Sequence, residues 1–199
     1  AYVEGSGLPC LIAVEHDHSG GARRIALSIA NGLGCLRVGA FETTFREEAL
    51  SDLFGEQAIL VGGVPALIKE AFDILVEKGF NPEVAYFECM HELKIIVDLF
   101  TVHGIAGMRE VISGTAAYGG LKYGEKLVTP GTAGEMRKMF DRIESGEFAR
   151  EWLEETAGGK QELRAMIEKE KDLKIEEAGR DVRKLFARHL SGKKHGGKR

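Results

Sequence analysis

Four acidic residues in two evenly spaced pairs are the side chains of this sequence best suited to chemistry. Asp52 and Glu56 lie four apart in Ser51-Asp-Leu-Phe-Gly-Glu-Gln, and Glu88 and Glu92 lie four apart in Tyr86-Phe-Glu-Cys-Met-His-Glu. Residues four apart share a helix face, where two like charges cost roughly 0.2–0.5 kcal/mol in solvent. Burial raises that cost, because a desolvated carboxylate needs a partner. The flanking residues Leu53, Phe54, Ala58, Ile59, Phe87, Leu93, Ile95 and Ile96 are apolar, and Lys94 is the only base close by. Two readings stay open. Each pair is a charged stripe answered by Arg or Lys, or the carboxylates hold a hard divalent cation such as Mg²⁺, which takes carboxylate oxygens and keeps some waters. Two facing pairs would suit two cations.

Other chemistry-bearing residues give less. Glu88-Cys-Met-His91 matches the Glu-x-x-His ligand pair of di-iron bundles, but that architecture needs two copies and two further Glu, and one copy is present. His16 and His18 alternate after a strand-like run, as ligands or as a polar strand end. Ser113 sits in Val111-Ile-Ser-Gly-Thr with no Gly-x-Ser-x-Gly turn, which disfavours a serine hydrolase. Gly5-Ser-Gly7 and Gly32-Leu-Gly34 lack the third glycine of a dinucleotide fingerprint, and no phosphate-cradling Gly-x-x-x-x-Gly-Lys loop occurs. Cys10, Cys35 and Cys89 form no Cys-x-x-Cys pair, and their odd number fits reduced thiols in the cytoplasm.

The elements that must position these residues are mostly helical. Leu8–Val14 is a short apolar run, as expected of a buried parallel strand. A helix is expected over Ala22–Ala30, ended by Gly32 and Gly34, and a second strand over Cys35–Phe41. Thr44-Phe-Arg-Glu47 fits a capping box. Pro65 fits the first turn of a helix stopped by Gly79, and Asn81-Pro82 opens one running to His103 and Gly104. A further helix is expected from Ile105 to Ala117, then a glycine-rich loop over Gly119–Gly131. Thr132-Ala-Gly-Glu135 would cap the next helix, and Gly146 and Gly158-Gly159 separate the remaining amphipathic ones.

With 199 residues, 44% hydrophobic and 29% charged, the composition is that of a folded globular chain. No run of 18 apolar residues would span a membrane, and no leader-like segment opens the chain. There are 31 acidic against 27 basic residues, and four of the bases (Lys193, Lys194, Lys198 and Arg199) sit in the tail 191–199. The body is therefore acidic, which argues against nucleic-acid binding.

Several strings resemble those of ketol-acid reductoisomerase in its short, class I form. They are Phe41-Glu-Thr-Thr-Phe-Arg-Glu-Glu, Asp52-Leu-Phe-Gly-Glu-Gln-Ala-Ile-Leu-Val-Gly-Gly and Ala85-Tyr-Phe-Glu-Cys-Met-His-Glu-Leu-Lys-Ile-Ile-Val-Asp-Leu. The likeness continues through Gly104-Ile-Ala-Gly-Met-Arg, Ile112-Ser-Gly-Thr-Ala-Ala-Tyr-Gly and Ile143-Glu-Ser-Gly-Glu-Phe-Ala-Arg. It extends from about residue 8 to residue 190.

The resemblance implies a mainly α fold: residues 1–43 as a β-α-β remnant ending a Rossmann-type NADPH-binding domain, 44–190 as an all-helical knotted domain, and 191–199 as a basic tail. It implies two Mg²⁺ per site bridged by Asp52, with Glu56 binding one ion and Glu88 and Glu92 completing the site from the partner subunit of a homodimer. It implies that Ser113 holds a 2-hydroxy-ketoacid like 2-acetolactate, also across the dimer. Asp52 and Glu92 would be catalytic, Glu92 shuttling the hydroxyl proton. The nucleotide-binding glycines and the family's catalytic His and Lys would precede residue 1, so that turnover is expected only where the first domain is supplied. The alternative implied is an inactive helical dimerisation module of the same fold. Gly114, Ala117 and Gly120 depart from the family, which usually has Asn, Glu and Asp there.

Overall fold

In a computed structural model, residues 5–193 are described, with side chains described through residue 186. The chain forms two units, residues 1–57 and 58–199.

In the first unit, β1 (Cys10–Ile12) pairs in parallel with β2 (Ala40–Glu42), with Cys10 opposite Ala40 and Ile12 opposite Glu42. The crossover is α1 (Ala22–Gly32), as parallel pairing requires. Asp17 fixes its start: one carboxylate accepts from the Ser19, Gly21 and Ala22 N–H groups. The expected strand over Cys35–Phe41 is shorter. Gly34 enters a left-handed turn at φ 83°, Cys35–Arg37 forms a 3₁₀ turn, and Gly39 at φ 149° restores an extended path. The strands are also not fully buried: Cys10 and Ile12 are half-buried where β1 packs against α1, while Leu11 and Phe41 are exposed. In α2 (Phe45–Gly55) the cap is half the expected box. The Glu47 N–H donates to the Thr44 hydroxyl at 3.0 Å, but the Glu47 carboxylate accepts from Thr43 Oγ1.

The second unit is helical. Its core is Phe72 on α3 (Gly63–Glu77), Ala85 and Tyr86 on α4 (Pro82–Tyr86), and Ile175, Ala178 and Val182 on α10 (Lys174–Lys193). Pro82 sits at the first turn of α4, capped by the Asn81 side chain. Gly179 allows α10 to close on α4, since a Cβ there would lie 2.5 Å from the Tyr86 ring. Arg183 donates to the Tyr86 hydroxyl at 3.1 Å and pairs with Glu176.

Between these lie α5 (Leu93–Val111) and α6 (Gly114–Tyr123). The expected stop at Gly104 is a kink instead: its φ 70° and ψ 174° are open to glycine, and the helix resumes. The expected helix from 105 to 117 divides at Ile112, where Ser113 caps α6. The expected loop 119–131 is largely helical, through Tyr123 and a 3₁₀ turn to Leu127. The cap of α7 (Pro130–Glu144) is Thr129, not Thr132, with Pro130 at the first helical position. Then come α8 (Glu147–Ala157) and α9 (Gln161–Lys171), joined where the Glu155 carboxylate accepts from the Leu163 N–H. Residues 194–199 of the basic tail lie outside the described residues. Among the described residues, no helix is long and apolar enough to cross a membrane.

Candidate functional site

Asp52 and Glu56 close α2, and the Glu56 N–H donates to the Asp52 carbonyl, so their side chains leave the helix on one side. From Glu56 to Leu60 the helix widens to a π turn. Glu88 lies within a second π turn, Phe87–His91, and Glu92 follows it, its N–H donating to the Phe87 carbonyl at 3.1 Å. Such one-turn bulges are frequent at functional sites, because the extra residue re-aims the side chains on either side.

All four carboxylates are exposed, contrary to the expectation of apolar burial. Ile59, Leu60 and Ile95 beside them are exposed as well, so charge and apolar surface face outward together. Lys94 does not answer the second pair, because it binds Asp98 one turn on. Among the described residues, none of the four carboxylates pairs with Arg or Lys, and no three His, Cys, Asp or Glu gather as a ligand set. Each pair thus offers two hard oxygen ligands.

The His91 ring stacks on Phe87 at 5.1 Å and on Phe186 at 4.3 Å, and among the described residues no group of three His, Cys, Asp or Glu gathers to complete a di-iron-type ligand set. The His16 and His18 rings stack on each other at 6.2 Å with no third ligand gathered beside them among the described residues.

Ser113 is the exposed N-cap of α6, its Oγ accepting from the Ala116 N–H at 3.2 Å with Thr115 Oγ1 also at 3.2 Å. Of the three departures nearby, Gly120 has a visible consequence. A Cβ there would come 3.6 Å from the Arg109 guanidinium, so an acidic side chain at 120 would meet a ready cation. Two features escaped the sequence reading, the π turns and the contact between Cys10 and Cys35. Nothing in local composition marks a helix widened by one residue, or the meeting of two thiols 25 positions apart.

Comparison with known proteins bears on this geometry. Residues 45–188, which contain all four carboxylates and Ser113, match the family model described as ketol-acid reductoisomerase, C-terminal domain. Residues 1–39 match that of the acetohydroxy acid isomeroreductase NADPH-binding domain. The fold is similar to a solved NADH-preferring ketol-acid reductoisomerase from an uncultured archean, at 45% identity and a TM-score of 0.88 over 94% of this chain. The chain spans 56% of the length of that protein. With the matched model covering the helical segment from α2 to α10, the chain belongs to the ketol-acid reductoisomerase family.

Proposed function

We propose that this chain supplies the metal and substrate groups of a ketol-acid reductoisomerase. The enzyme moves an alkyl group within a 2-hydroxy-ketoacid such as 2-acetolactate and reduces the rearranged ketone with NADPH. The observation that carries this reading is the family match over 45–188, which spans both acidic pairs and Ser113. NADPH would come with the first domain, of which residues 1–43 form the end, joined to a knotted helical domain over 44–190. Free thiols at Cys10, Cys35 and Cys89 agree with a cytoplasmic setting.

The donor set fits Mg²⁺. Four carboxylates give hard anionic oxygens and no soft ligand, and their charge suits two divalent ions. Asp52 and Glu56 would hold the ions together with Glu88 and Glu92 from the partner of a homodimer. Apolar side chains along α5 support that partner: Val102 is 74% exposed and Ile105 64%, and α5 packs chiefly on the turn preceding it. Large apolar residues exposed together on one helix are characteristic of an interface.

When bound, Mg²⁺ supplies Lewis acidity at the adjoining carbonyl and hydroxyl oxygens of the substrate. The protein supplies the rest. Glu92 accepts the proton of the tertiary hydroxyl, so that its oxygen can become the new carbonyl as the alkyl group moves. The Ser113 oxygen caps α6 as an acceptor and shares a hydrogen bond with Thr115 Oγ1; with Thr115 as the donor of that pair, the Ser113 O–H would donate to a substrate oxygen.

Acetolactate-dependent oxidation of NADPH in the presence of Mg²⁺ tests this, with the chain joined to its NADPH domain and alone. Turnover is expected in the joined form alone, falling at least about a hundredfold in Glu92→Gln, the scale of a lost general base. Full activity in Glu92→Gln, or none in the joined wild type, contradicts the assignment.

A further inference from the structure

The backbone of the first unit folds two cysteines together. The Cys10 N–H at the start of β1 donates to the Gly39 carbonyl at 3.2 Å, and the Gly39 N–H donates to the Cys35 carbonyl at 3.0 Å. These two bonds lay the 3₁₀ turn that begins at Cys35 against the start of β1. Both side chains line one cavity of about 490 Å³ with Ala26, Ile29 and Leu33, and the Cys35 sulfur adjoins the Cys10 thiol. Both are half-buried rather than sealed, so a small reagent can reach them.

We propose that Cys10 and Cys35 are a modification site, a dithiol that a low-molecular-weight disulfide such as oxidised glutathione converts to an intramolecular disulfide. One cysteine thiolate attacks a glutathione sulfur, the glutathione S–S bond breaks, and one glutathione thiolate leaves. The second cysteine then attacks the protein sulfur of this mixed disulfide, forming the Cys10–Cys35 bond and releasing the second glutathione. The two thiols lose two electrons and two protons, and the oxidant leaves as two glutathione thiols. Burial and the adjoining Cys35 sulfur push the Cys10 thiol up from its ordinary value, so the reaction quickens as the pH rises. The product ties the start of β1 to the turn leading into β2 and closes a loop around α1. Such a cross-link stabilises by restricting the unfolded chain.

The test is incubation of the purified native protein with excess oxidised glutathione at about pH 8, alkylation of remaining thiols, and peptide mapping by mass spectrometry. The expected result is a Cys10–Cys35 linked peptide within one chain, a protein lighter by two hydrogens from this bond, and a higher melting temperature. In Cys35→Ser, Cys10 should stop at the mixed disulfide and keep one glutathione. Cys89, whose thiol burial and Glu88 also push up, reports reagent access elsewhere in the chain. Recovery of Cys10 and Cys35 as separate glutathione adducts, as free alkylated thiols, or as a bond between two chains overturns the proposal.

Discussion

Ser113 is a solvent-facing group with two duties, one to the fold and one proposed toward substrate. As a cap it holds the Ala116 N–H, a contact whose loss costs about 1 kcal/mol. As a substrate ligand it would donate its O–H. Ser113→Ala should therefore lower both stability and acetolactate turnover. Ser113→Thr, which still caps, should restore the melting temperature, and a variant that regains stability but not KM would separate the two duties. Asp17 gives a pH signature. Burial alone would raise its pKa, but the Ala22, Ser19 and Gly21 N–H groups and the Ser19 hydroxyl together hold it below the ordinary value. A carboxylate lowered on folding stabilises above its unfolded pKa of about 3.9, and that stability fades as the pH falls through the folded value. Asp17→Asn should thus melt earlier than wild type at neutral pH. The gap should narrow as the pH falls through the lowered folded value, as followed by circular dichroism. The acidic pairs were legible in the sequence because spacing alone puts Asp52 with Glu56 and Glu88 with Glu92. Their exposure was not, because apolar neighbours such as Ile59 and Ile95 also face outward and so give no sign of burial.

At the scale of elements, packing decided several boundaries that local signals misplaced. Thr44 and Asn81 were readable as caps because Glu47 three residues on and Pro82 directly after mark a helix start. Thr132 looked equally good, yet Pro130 fixes the first turn and gives the cap to Thr129. The glycines at 119, 120 and 124 suggested a loop, but the Ser113 cap starts a helix that runs through the first two. Gly104 shows the converse: it does interrupt the helix geometry, yet the chain resumes the helix beyond it. Gly104→Ala should cost roughly 1–3 kcal/mol, since φ 70° with ψ 174° is strained for any residue bearing a Cβ. Gly179→Ala should cost a similar 1–3 kcal/mol, roughly, by forcing α10 off the Tyr86 ring. Urea unfolding of the two variants checks both figures. A Gly179→Ala protein as stable as wild type would mean that α10 does not pack on α4 at that point.

At the scale of the molecule, the mainly helical class and the short β-α-β start were visible from punctuation and periodicity. The proposed second copy came only from the family resemblance, because an apolar helix face reads as core whichever chain covers it. Val102→Glu or Ile105→Glu should convert a sedimenting dimer to a monomer, and a wild-type protein that sediments as a monomer would remove the proposed shared site. The central claim is that Asp52, Glu56, Glu88 and Glu92 together hold Mg²⁺, and thermal melting against Mg²⁺ concentration tests it most directly. Saturating Mg²⁺, at a hundredfold excess over Kd, should raise the melting temperature by roughly 5–10 °C. Asp52→Asn and Glu88→Gln should each abolish that rise while melting normally without the ion. A wild-type protein whose melting ignores Mg²⁺, or variants that keep the full rise, would contradict it.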